Sequence, residues 1–339
     1  MKNQTLSLFA KLAQGTALAA VLLVAPFLMF AQNNGTAAGI ADRPAPPAGV
    51  TISVKNPEQI AILHWYSANS ATSLATGNQP RGVAFDGTDV WVANSSDSTV
   101  TKIRASDGTV LGAFAVGSQP EGVAFDGANI WVANLGGNSV TKVRASDGTV
   151  LGTFPVPAGS YNVAFDGINI WVTGTVTNSV TKLSTSGTVL GTFAVGTGPI
   201  GVLFDGTNVW VANNGSNNVT KLSTSGTVLG TFAVGSASSQ LAFDGNNVWV
   251  VNTGSNTVTK LSSSGTTLGT FAVGSFAYGV VFDGANIWVA NDGDNTVTKL
   301  SLTGTVMGTF AVGTSPRSMA FDGANVWVTN TNSNTLSKL

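Results

Sequence analysis

A phrase that begins with Phe-Asp-Gly recurs seven times along this chain of 339 residues. Each copy continues through one variable residue to Asn or Asp, then Val or Ile, then Trp-Val, so a Trp always follows the Phe by six residues. The copies are spaced by 40, 40, 39, 39, 39 and 39 residues, with the Phe at positions 85, 125, 165, 204, 243, 282 and 321. Periods of this length are typical of solenoids, propellers and related arrays. The repeat therefore predicts one large repeat domain.

Each unit contains four short β-type segments, which we label strands a to d. In the second copy they are residues 122–125, 129–134, 139–143 and 149–156. Asp126-Gly127 joins strand a to strand b, and Asp-Gly between apolar segments is a strong hairpin signal because Gly tolerates positive φ. Near-continuous apolar strands such as Val-Trp-Val-Ala suit a sheet that is covered on both faces, and the Trp residues are expected to be core. The unit thus predicts a four-stranded propeller blade.

The two ends of the repeat region complement each other. The last copy stops after strand c, and residues 70–77 before the first copy match a strand d. An open solenoid would need atypical end caps, whereas the last copy is as regular as the others. We therefore predict an all-β fold, a seven-bladed β-propeller with four-stranded blades over residues 70–339, whose last blade is closed by an N-terminal strand. Residues 70–76 are expected to pair with residues 335–339.

The repeating unit resembles a known family. Its consensus, Pro-x-Gly-Val-Ala-Phe-Asp-Gly followed by Trp-Val-Ala-Asn, Val-Thr-Lys-Leu and Gly-Thr-Phe-Ala-Val-Gly, resembles bacterial YVTN-type propeller repeats and is similar to NHL and streptogramin-lyase-like propellers. The resemblance covers about residues 70–339, and it implies the fold more than a function. The lyase branch, as the resemblance implies, uses His and acidic residues with a divalent metal near the central channel. This chain has no His in any blade, which argues against lyase activity.

Residues 1–69 precede the repeats. Lys2 and Lys11 come before an apolar run at 17–30, and Ala31 offers a small residue for cleavage, so residues 1–31 are predicted to be a secretory signal peptide, with an uncleaved anchor as the alternative. Residues 32–55 are predicted to be a flexible linker and residues 56–69 a short helical lead-in that contains His64, the only His. We expect an exported protein, periplasmic or extracellular, with no membrane span after signal removal.

Charge is scarce and mostly belongs to the repeat. Only 9% of residues are charged, the formal net charge is −1, and there is no Cys. Such a chain has no basic field for nucleic acid and no disulfides. Each copy contains the Asp of Phe-Asp-Gly and a Lys at the end of strand c. We expect both on the face that bears the a–b and c–d turns, with the Asp bonded to backbone N–H groups of its own turn and the Lys largely solvated.

One position varies from blade to blade although its surroundings repeat. It follows the d–a junction and reads Arg81, Glu121, Tyr161, Ile200, Ser239, Tyr278 and Arg317. Strand a should be innermost, so these residues are predicted to ring the mouth of the central channel. Ring closure would make Arg317, Arg81 and Glu121 one charged arc flanked by Tyr278 and Tyr161. Arg beside Tyr suits a carboxylate or sugar-like ligand. The competing interpretation is drift at a solvated loop position.

Searches for catalytic and metal-binding patterns give little. Asp292 and Asp294 in a b–c loop are weak candidates for a Ca²⁺ site, and a solvated turn is the alternative interpretation. There is no Cys nucleophile, no Ser/His pair and no phosphate-binding loop, so we predict no catalytic residue and no cofactor. We expect a monomeric, non-enzymatic module that binds a small molecule, glycan or protein through the face with the d–a and b–c loops. A structural or adhesive surface scaffold and a divergent lyase-like enzyme are the alternatives.

Overall fold

The computed structural model describes residues 72–339, which belong to one compact unit. The predictions for the signal peptide, the linker, the helical lead-in and His64 lie outside these residues. Every regular element in the described part is a β-strand. Within it, no helix offers enough length and apolar character to span a bilayer.

The strands form seven antiparallel four-stranded sheets, here called blades 1 to 7. Blade 1 contains β2 (Pro80–Phe85), β3 (Asp89–Asn94), β4 (Thr99–Arg104) and β5 (Val110–Ala115). Blade 2 contains β6 (Pro120–Phe125), β7 (Asn129–Asn134), β8 (Ser139–Arg144) and β9 (Val150–Pro155). Blade 3 contains β10 (Ser160–Phe165), β11 (Asn169–Gly174), β12 (Ser179–Ser184) and β13 (Val189–Ala194). Blades 4 and 5 contain β14 (Pro199–Phe204), β15 (Asn208–Asn213), β16 (Asn218–Ser223) and β17 (Val228–Ala233); and β18 (Ser238–Phe243), β19 (Asn247–Asn252), β20 (Thr257–Ser262) and β21 (Thr267–Ala272). Blade 6 contains β22 (Ala277–Phe282), β23 (Asn286–Asn291), β24 (Thr296–Ser301) and β25 (Val306–Ala311). Blade 7 contains β26 (Pro316–Phe321), β27 (Val326–Asn330), β28 (Thr335–Lys338) and β1 (Thr72–Ala75).

The seven blades close into a ring as predicted. Each strand a contacts the strand a of both neighbouring blades, including β2 of blade 1 with β26 of blade 7, so these strands surround the central channel. In blade 7 the outer strand comes from the N-terminal side: β1 pairs antiparallel with β28, with Thr72 opposite Lys338 and Ala75 opposite Thr335. The predicted closing strand is therefore confirmed over Thr72–Ala75 and ends one residue before the predicted end, while residues 70 and 71 lie outside the described residues.

The core lies between adjacent blades. Strand b supplies its centre, since all of β3 is buried and six of the seven repeat Trp side chains are fully buried. Trp91 of blade 1 packs with Ile130 and Val132 of blade 2, and the ring of Phe114 lies 5.7 Å from the Trp91 ring. Phe114 also covers Gly148 in the c–d turn of the next blade, where φ is +77° and a Cβ would overlap the Phe ring. The Trp residues are thus core, as predicted.

Each repeat Asp is the acceptor for a three-point network on the lower face, defined here as the face with the a–b and c–d turns. Asp205 Oδ1 accepts from the backbone N–H groups of Thr207 at 2.9 Å and Asn208 at 2.6 Å. Its Oδ2 accepts from the indole Nε1 of Trp210 at 2.6 Å. The prediction that the Asp serves its own turn is confirmed, and the bond to the buried Trp is an addition. The same Trp–Asp bond is present in all seven blades.

The prediction that the repeat Lys residues are largely solvated is wrong. Lys102 is 8% exposed, and its Nζ donates to the carbonyl of Ala145 in the next blade at 2.7 Å while lying 5.2 Å from the centre of the Trp91 ring. Blades 2, 3, 4, 5 and 7 make the same bond to the next blade. The side chain runs along its cross-strand Trp partner and ends against the following blade. Its position on the lower face was predicted correctly, but its role is to link blades.

Candidate functional site

The variable residues begin strand a at a break in the sheet. In every blade the a–b pairing shifts register just after the first residue of strand a, for example between Pro80 and Val83. Irregularities of this kind re-aim a side chain, and they are common beside functional sites. Here the residue at the break, such as Arg81, lines the central cavity on the upper face, defined as the face with the d–a and b–c loops. This position is part of a strand, so the competing interpretation as a solvated loop does not describe it.

The structure brings the charged residues together as the ring closure predicts. Arg81 Nε lies 3.8 Å from Glu121 Oε1, and Arg317 Nε lies 3.7 Å from Asp292 Oδ2. Both separations exceed hydrogen-bond length. The guanidinium carbon of Arg317 lies 4.6 Å from the centre of the Tyr278 ring, in cation–π geometry. Arg81 Nε is buried and has no hydrogen-bond partner. The arginines are therefore positioned by neighbours that leave donor groups unused.

The two tyrosines do more than flank the charged arc. Tyr161 of blade 3 and Tyr278 of blade 6 meet across the channel, with 2.5 Å between their hydroxyl oxygens. A second bridge crosses the channel where Asn162 Nδ2 donates to Gln240 Oε1 at 2.8 Å. These side chains line the same cavity as the arginines. The two bridges therefore narrow the channel at the upper mouth.

The remaining two variable residues do not line this cavity. Ser239 donates from its hydroxyl to the carbonyl of Tyr278 at 3.0 Å and supports that strand. Ile200 contributes a backbone carbonyl, which accepts from Thr173 Oγ1 at 3.0 Å. The lining of the cavity thus comes from every blade except blade 4. Its lining includes the five residues singled out from the sequence, Arg81, Glu121, Tyr161, Tyr278 and Arg317.

Burial controls the ionisation of the acidic groups in the cavity. Burial raises the pKa of the Glu121 carboxyl above its ordinary value, and the positive charges of Arg81 and Arg317 oppose this shift. Burial, followed by the charge of Glu121, raises the pKa of Tyr161. Burial also raises the pKa of Tyr278 well above its usual range. Both phenols are therefore neutral near pH 7 and available as hydrogen-bond donors and acceptors.

The cavity is small. Its volume is about 40 Å³, whereas a single water needs roughly 10–15 Å³ measured in the same way. Ligand sites that enclose a whole small molecule are typically ~300–1,000 Å³. The cavity between the arginines and the Tyr pair is thus large enough for one small polar group, such as a carboxylate. Two larger open clefts flank the b–c loop of blade 7 on the same face, with volumes of about 420 and 460 Å³.

The weak metal candidates have other partners. Asp294 accepts from the backbone N–H of Ser275 at 2.7 Å and also bonds the Ser275 hydroxyl. Asp292 faces Arg317. Across residues 72–339, no group of three or more His, Cys, Asp or Glu side chains is arranged to hold a metal ion. The structure therefore uses these carboxylates within the loops and beside the arginine.

Sequence reasoning missed several residues of the site. Asn162, Gln240 and Ser318 follow the variable position and line the cavity, in a place where four blades have Gly. Gly82 is one of those four, and a Cβ there would overlap the carbonyl of Glu121 in the neighbouring strand. The replacement of this Gly in three blades could have been used to predict these residues, because it marks where larger side chains enter the channel. Phe276, at the d–a junction of blade 6, was also missed.

Comparison with known proteins identifies similar folds. No family model matches the chain, and no curated protein matches it. Among solved structures, hydrazine synthase of Kuenenia stuttgartiensis is 20% identical, with 78% of this chain and 96% of that chain covered at a TM-score of 0.68. A streptogramin B lyase is 17% identical, with coverage of 79% and 96% and a TM-score of 0.70. A functionally unknown protein from Desulfotomaculum acetoxidans is 17% identical, with coverage of 75% and 90% and a TM-score of 0.62.

At these identities the likeness shows the fold and leaves the chemistry to the residues of each chain. Structures with the same architecture include a lyase and a hydrazine synthase, so the fold alone is compatible with several activities. The blade architecture and the structural neighbours together identify a seven-bladed β-propeller, consistent with the YVTN/NHL-like propeller that the repeats resemble.

Proposed function

We propose that this protein is an exported binding module that holds an anionic group of its ligand between Arg81 and Arg317 at the upper mouth of the channel. The observation that carries the proposal is the convergence of five non-repeating side chains on one cavity in an otherwise repetitive ring. The repeat fixes the core, the turns and the links between blades. It does not require two arginines at the mouth, so these are the residues that distinguish this propeller from a bare scaffold.

The electrostatics favour an anion. Arg81 and Arg317 come from adjacent blades, and both contribute to the field at Glu121. Their closest carboxylates stand 3.7 and 3.8 Å away, so neither arginine has an optimal fork-to-fork partner. An incoming carboxylate can supply that geometry, and the hydroxyls of the Tyr pair can orient it. Glu121 then acts as a positioning group for Arg81.

The size of the cavity limits what enters it. About 40 Å³ accommodates a carboxylate but not the molecule that carries it. We therefore expect a ligand whose charged end is inserted while its body lies on the upper face. Peptide C-termini and acidic sugars have this form. The lining has no nucleophile paired with a base, and we propose binding without catalysis.

The test compares matched double variants. Arg81→Ala with Arg317→Ala should abolish binding of acidic peptides and acidic sugars, measured by isothermal titration calorimetry. Arg104→Ala with Arg144→Ala removes the same charge from two side chains that are 45% and 47% exposed on the lower face, and it should leave binding unchanged. Binding by the wild type should weaken with added salt, since exposed charges are screened over about 8–10 Å. Binding that survives loss of Arg81 and Arg317 would overturn the proposal.

A second candidate, a structural or adhesive surface module, is favoured by the outer strands. The first residues of strand d expose pairs of aliphatic side chains around the ring, for example Val110 at 53% and Leu111 at 39%. Repeated apolar pairs on an outer surface suit contact with another protein. Substituting Thr for these pairs in three blades should abolish adhesion or partner capture if this is the function. The same change should leave the binding of acidic ligands intact.

Export is part of the proposal. It is supported by the apolar run at 17–30, which Lys2 and Lys11 precede. N-terminal sequencing of the protein recovered outside the cytoplasm should begin at residue 32. Recovery of the full-length chain from the cytoplasm alone would contradict it.

A further inference from the structure

Phe276 is exceptional among the residues that precede strand a. Its side chain is 64% exposed, and its φ is +49°. Every blade has a positive φ here, and the other copies are Gln79, Gln119, Gly159, Gly198, Ala237 and Ser315. A bulky residue in this conformation is a genuine outlier and is disfavoured relative to Gly. Blade 6 therefore places a large aromatic ring in solvent where the fold would prefer Gly.

The backbone around Phe276 is firmly held. Its N–H donates to Asn256 Oδ1 at 2.8 Å, and its carbonyl accepts from the N–H of Asp292 at 3.2 Å. The ring lies over Gly293, where a Cβ would come within 3.0 Å of the Phe276 ring. The two hydrogen bonds hold the backbone that carries the ring. Phe276 is thus an exposed aromatic platform beside Gly293.

The platform forms one wall of the open cleft between blades 6 and 7. The cleft has a volume of about 420 Å³, within the usual range for ligand sites. Apart from Phe276, its lining is polar or small: Asp292, Gly293, Asn295, Thr314, Ser315 and Asn332. A flat aromatic surface beside carboxamide, hydroxyl and carboxylate groups matches a sugar ring. The C–H groups of one sugar face pack on the aromatic ring, and the hydroxyls at its edge need hydrogen-bond partners.

The cleft is next to the arginine cavity. Asp292 lines the cleft and also lies 3.7 Å from Arg317. Phe276 is two residues before Tyr278, whose ring stacks on Arg317. Two residues of a strand span roughly 6.6 Å, about the width of one sugar ring. A sugar on Phe276 therefore has a carboxylate substituent within reach of Arg317.

We propose that the cleft between blades 6 and 7 binds an acidic saccharide, with one sugar ring stacked on Phe276 and its carboxylate held by Arg317 and Arg81. This assignment rests on the proposed function, because it uses the same arginines. It adds the chemical class of the ligand and a further anchoring residue, Phe276. The neighbouring cleft between blades 7 and 1 provides an internal comparison. It is similar in volume, at about 460 Å³, but Gln79 takes the place of Phe276.

The experiment measures binding of trigalacturonate by isothermal titration calorimetry. Phe276→Gly should weaken binding by about tenfold or more through loss of the stacking surface. The same variant should unfold at an equal or higher temperature, because Gly relieves the positive φ. Phe276→Trp should retain binding. Gln119→Gly, the equivalent change in blade 2, should leave binding unchanged.

The outcomes separate this inference from the proposed function. If Phe276→Gly binds as tightly as the wild type while Arg81→Ala with Arg317→Ala abolishes binding, the inference is overturned and the proposed function stands. Binding of an acidic peptide but not of trigalacturonate also overturns the inference and leaves the proposed function standing. If the neutral galactose trisaccharide binds as tightly as trigalacturonate, both the acidic class and the arginine role are refuted. Failure of all these ligands to bind refutes both proposals.

Discussion

Replacing Asp205 tests whether the repeat Asp residues hold the buried Trp side chains in place. Asp205→Ala removes three hydrogen-bond acceptor contacts, to the backbone N–H groups of Thr207 and Asn208 and to the indole Nε1 of Trp210. Asp205→Asn preserves the shape of the side chain but replaces one acceptor oxygen with a donor. The two substitutions therefore separate the loss of all three bonds from the loss of one.

The expected loss in the free energy of unfolding depends on whether each donor that loses its acceptor is buried or can reach water. The Trp210 side chain is fully buried, and a buried donor left without a partner costs about 1–3 kcal/mol. The two backbone donors lie at a turn where water can replace the carboxylate, so each loss costs about 0.5 kcal/mol, the low end for a hydrogen bond. We expect Asp205→Ala to lower the free energy of unfolding by about 2–4 kcal/mol and Asp205→Asn by about 1–3 kcal/mol.

Guanidinium chloride unfolding monitored by Trp fluorescence measures both variants. Asp147→Ala is the control, because Asp147 is exposed in a c–d turn and bonds only Thr149 and Arg144. It should shift the unfolding midpoint much less than Asp205→Ala, with an unchanged dependence on denaturant. Equal shifts for Asp205→Ala and Asp147→Ala would refute the idea that the Trp–Asp bond stabilises the blade.

Three further predictions concern ring closure, the lysines and pH. Leu74→Asp places a carboxylate in the apolar cluster around Trp327 and should open blade 7, which size-exclusion chromatography would detect as oligomers. Thr72→Asp, at the exposed start of the same strand, should stay monomeric. Lys221→Met should lower the unfolding midpoint more than Lys299→Met, because Lys221 donates to the carbonyl of Ser263 in the next blade whereas Lys299 approaches Asp283 at 3.9 Å. Equal effects of the two substitutions would contradict the idea that the repeat Lys residues link adjacent blades. In four repeat Asp residues burial acts to raise the pKa, but hydrogen bonds outweigh burial and the pKa is lowered: Asp126, Asp244, Asp283 and Asp322. The unfolded state therefore binds more protons in acid, and the free energy of unfolding should fall as the pH drops below the ordinary pKa of 3.8. A free energy of unfolding that does not change between pH 5 and about 2 would contradict this.

The fold was predictable because the repeat specifies it seven times. Strand b of the second copy was predicted as residues 129–134 and is observed at Asn129–Asn134. Counting strands at the two ends was enough to predict the closing pair of β1 and β28. The solvation of Lys102 was not predictable in the same way. Its burial depends on a carbonyl 43 residues further along the chain, and no pattern within one unit shows how closely the next blade approaches.

The candidate site could likewise be predicted only in part from the sequence. Variation at one repeat position identified Arg81, Glu121 and Arg317, and closure placed them side by side. The contact between Tyr161 and Tyr278 was missed because it crosses the channel, and the width of the channel follows from how the blades are packed. Phe276 was missed because it lies one position before the strand. Its residue type in a positive-φ position is visible only after the backbone conformation is known.

The pairing of β1 with β28 also determines how the ring responds to a pulling force. Thr72 and Lys338 are opposite each other, so the chain enters and leaves the closing pair at the same end of its ladder. A load applied through the segments that flank these two residues peels the strands apart one rung at a time, which needs less force than sliding all rungs together. Blade 7 is therefore the mechanical release point of the propeller. Tension between the two ends would release the outer strand of blade 7 first, at the opposite edge of the sheet from the strand that contains Arg317.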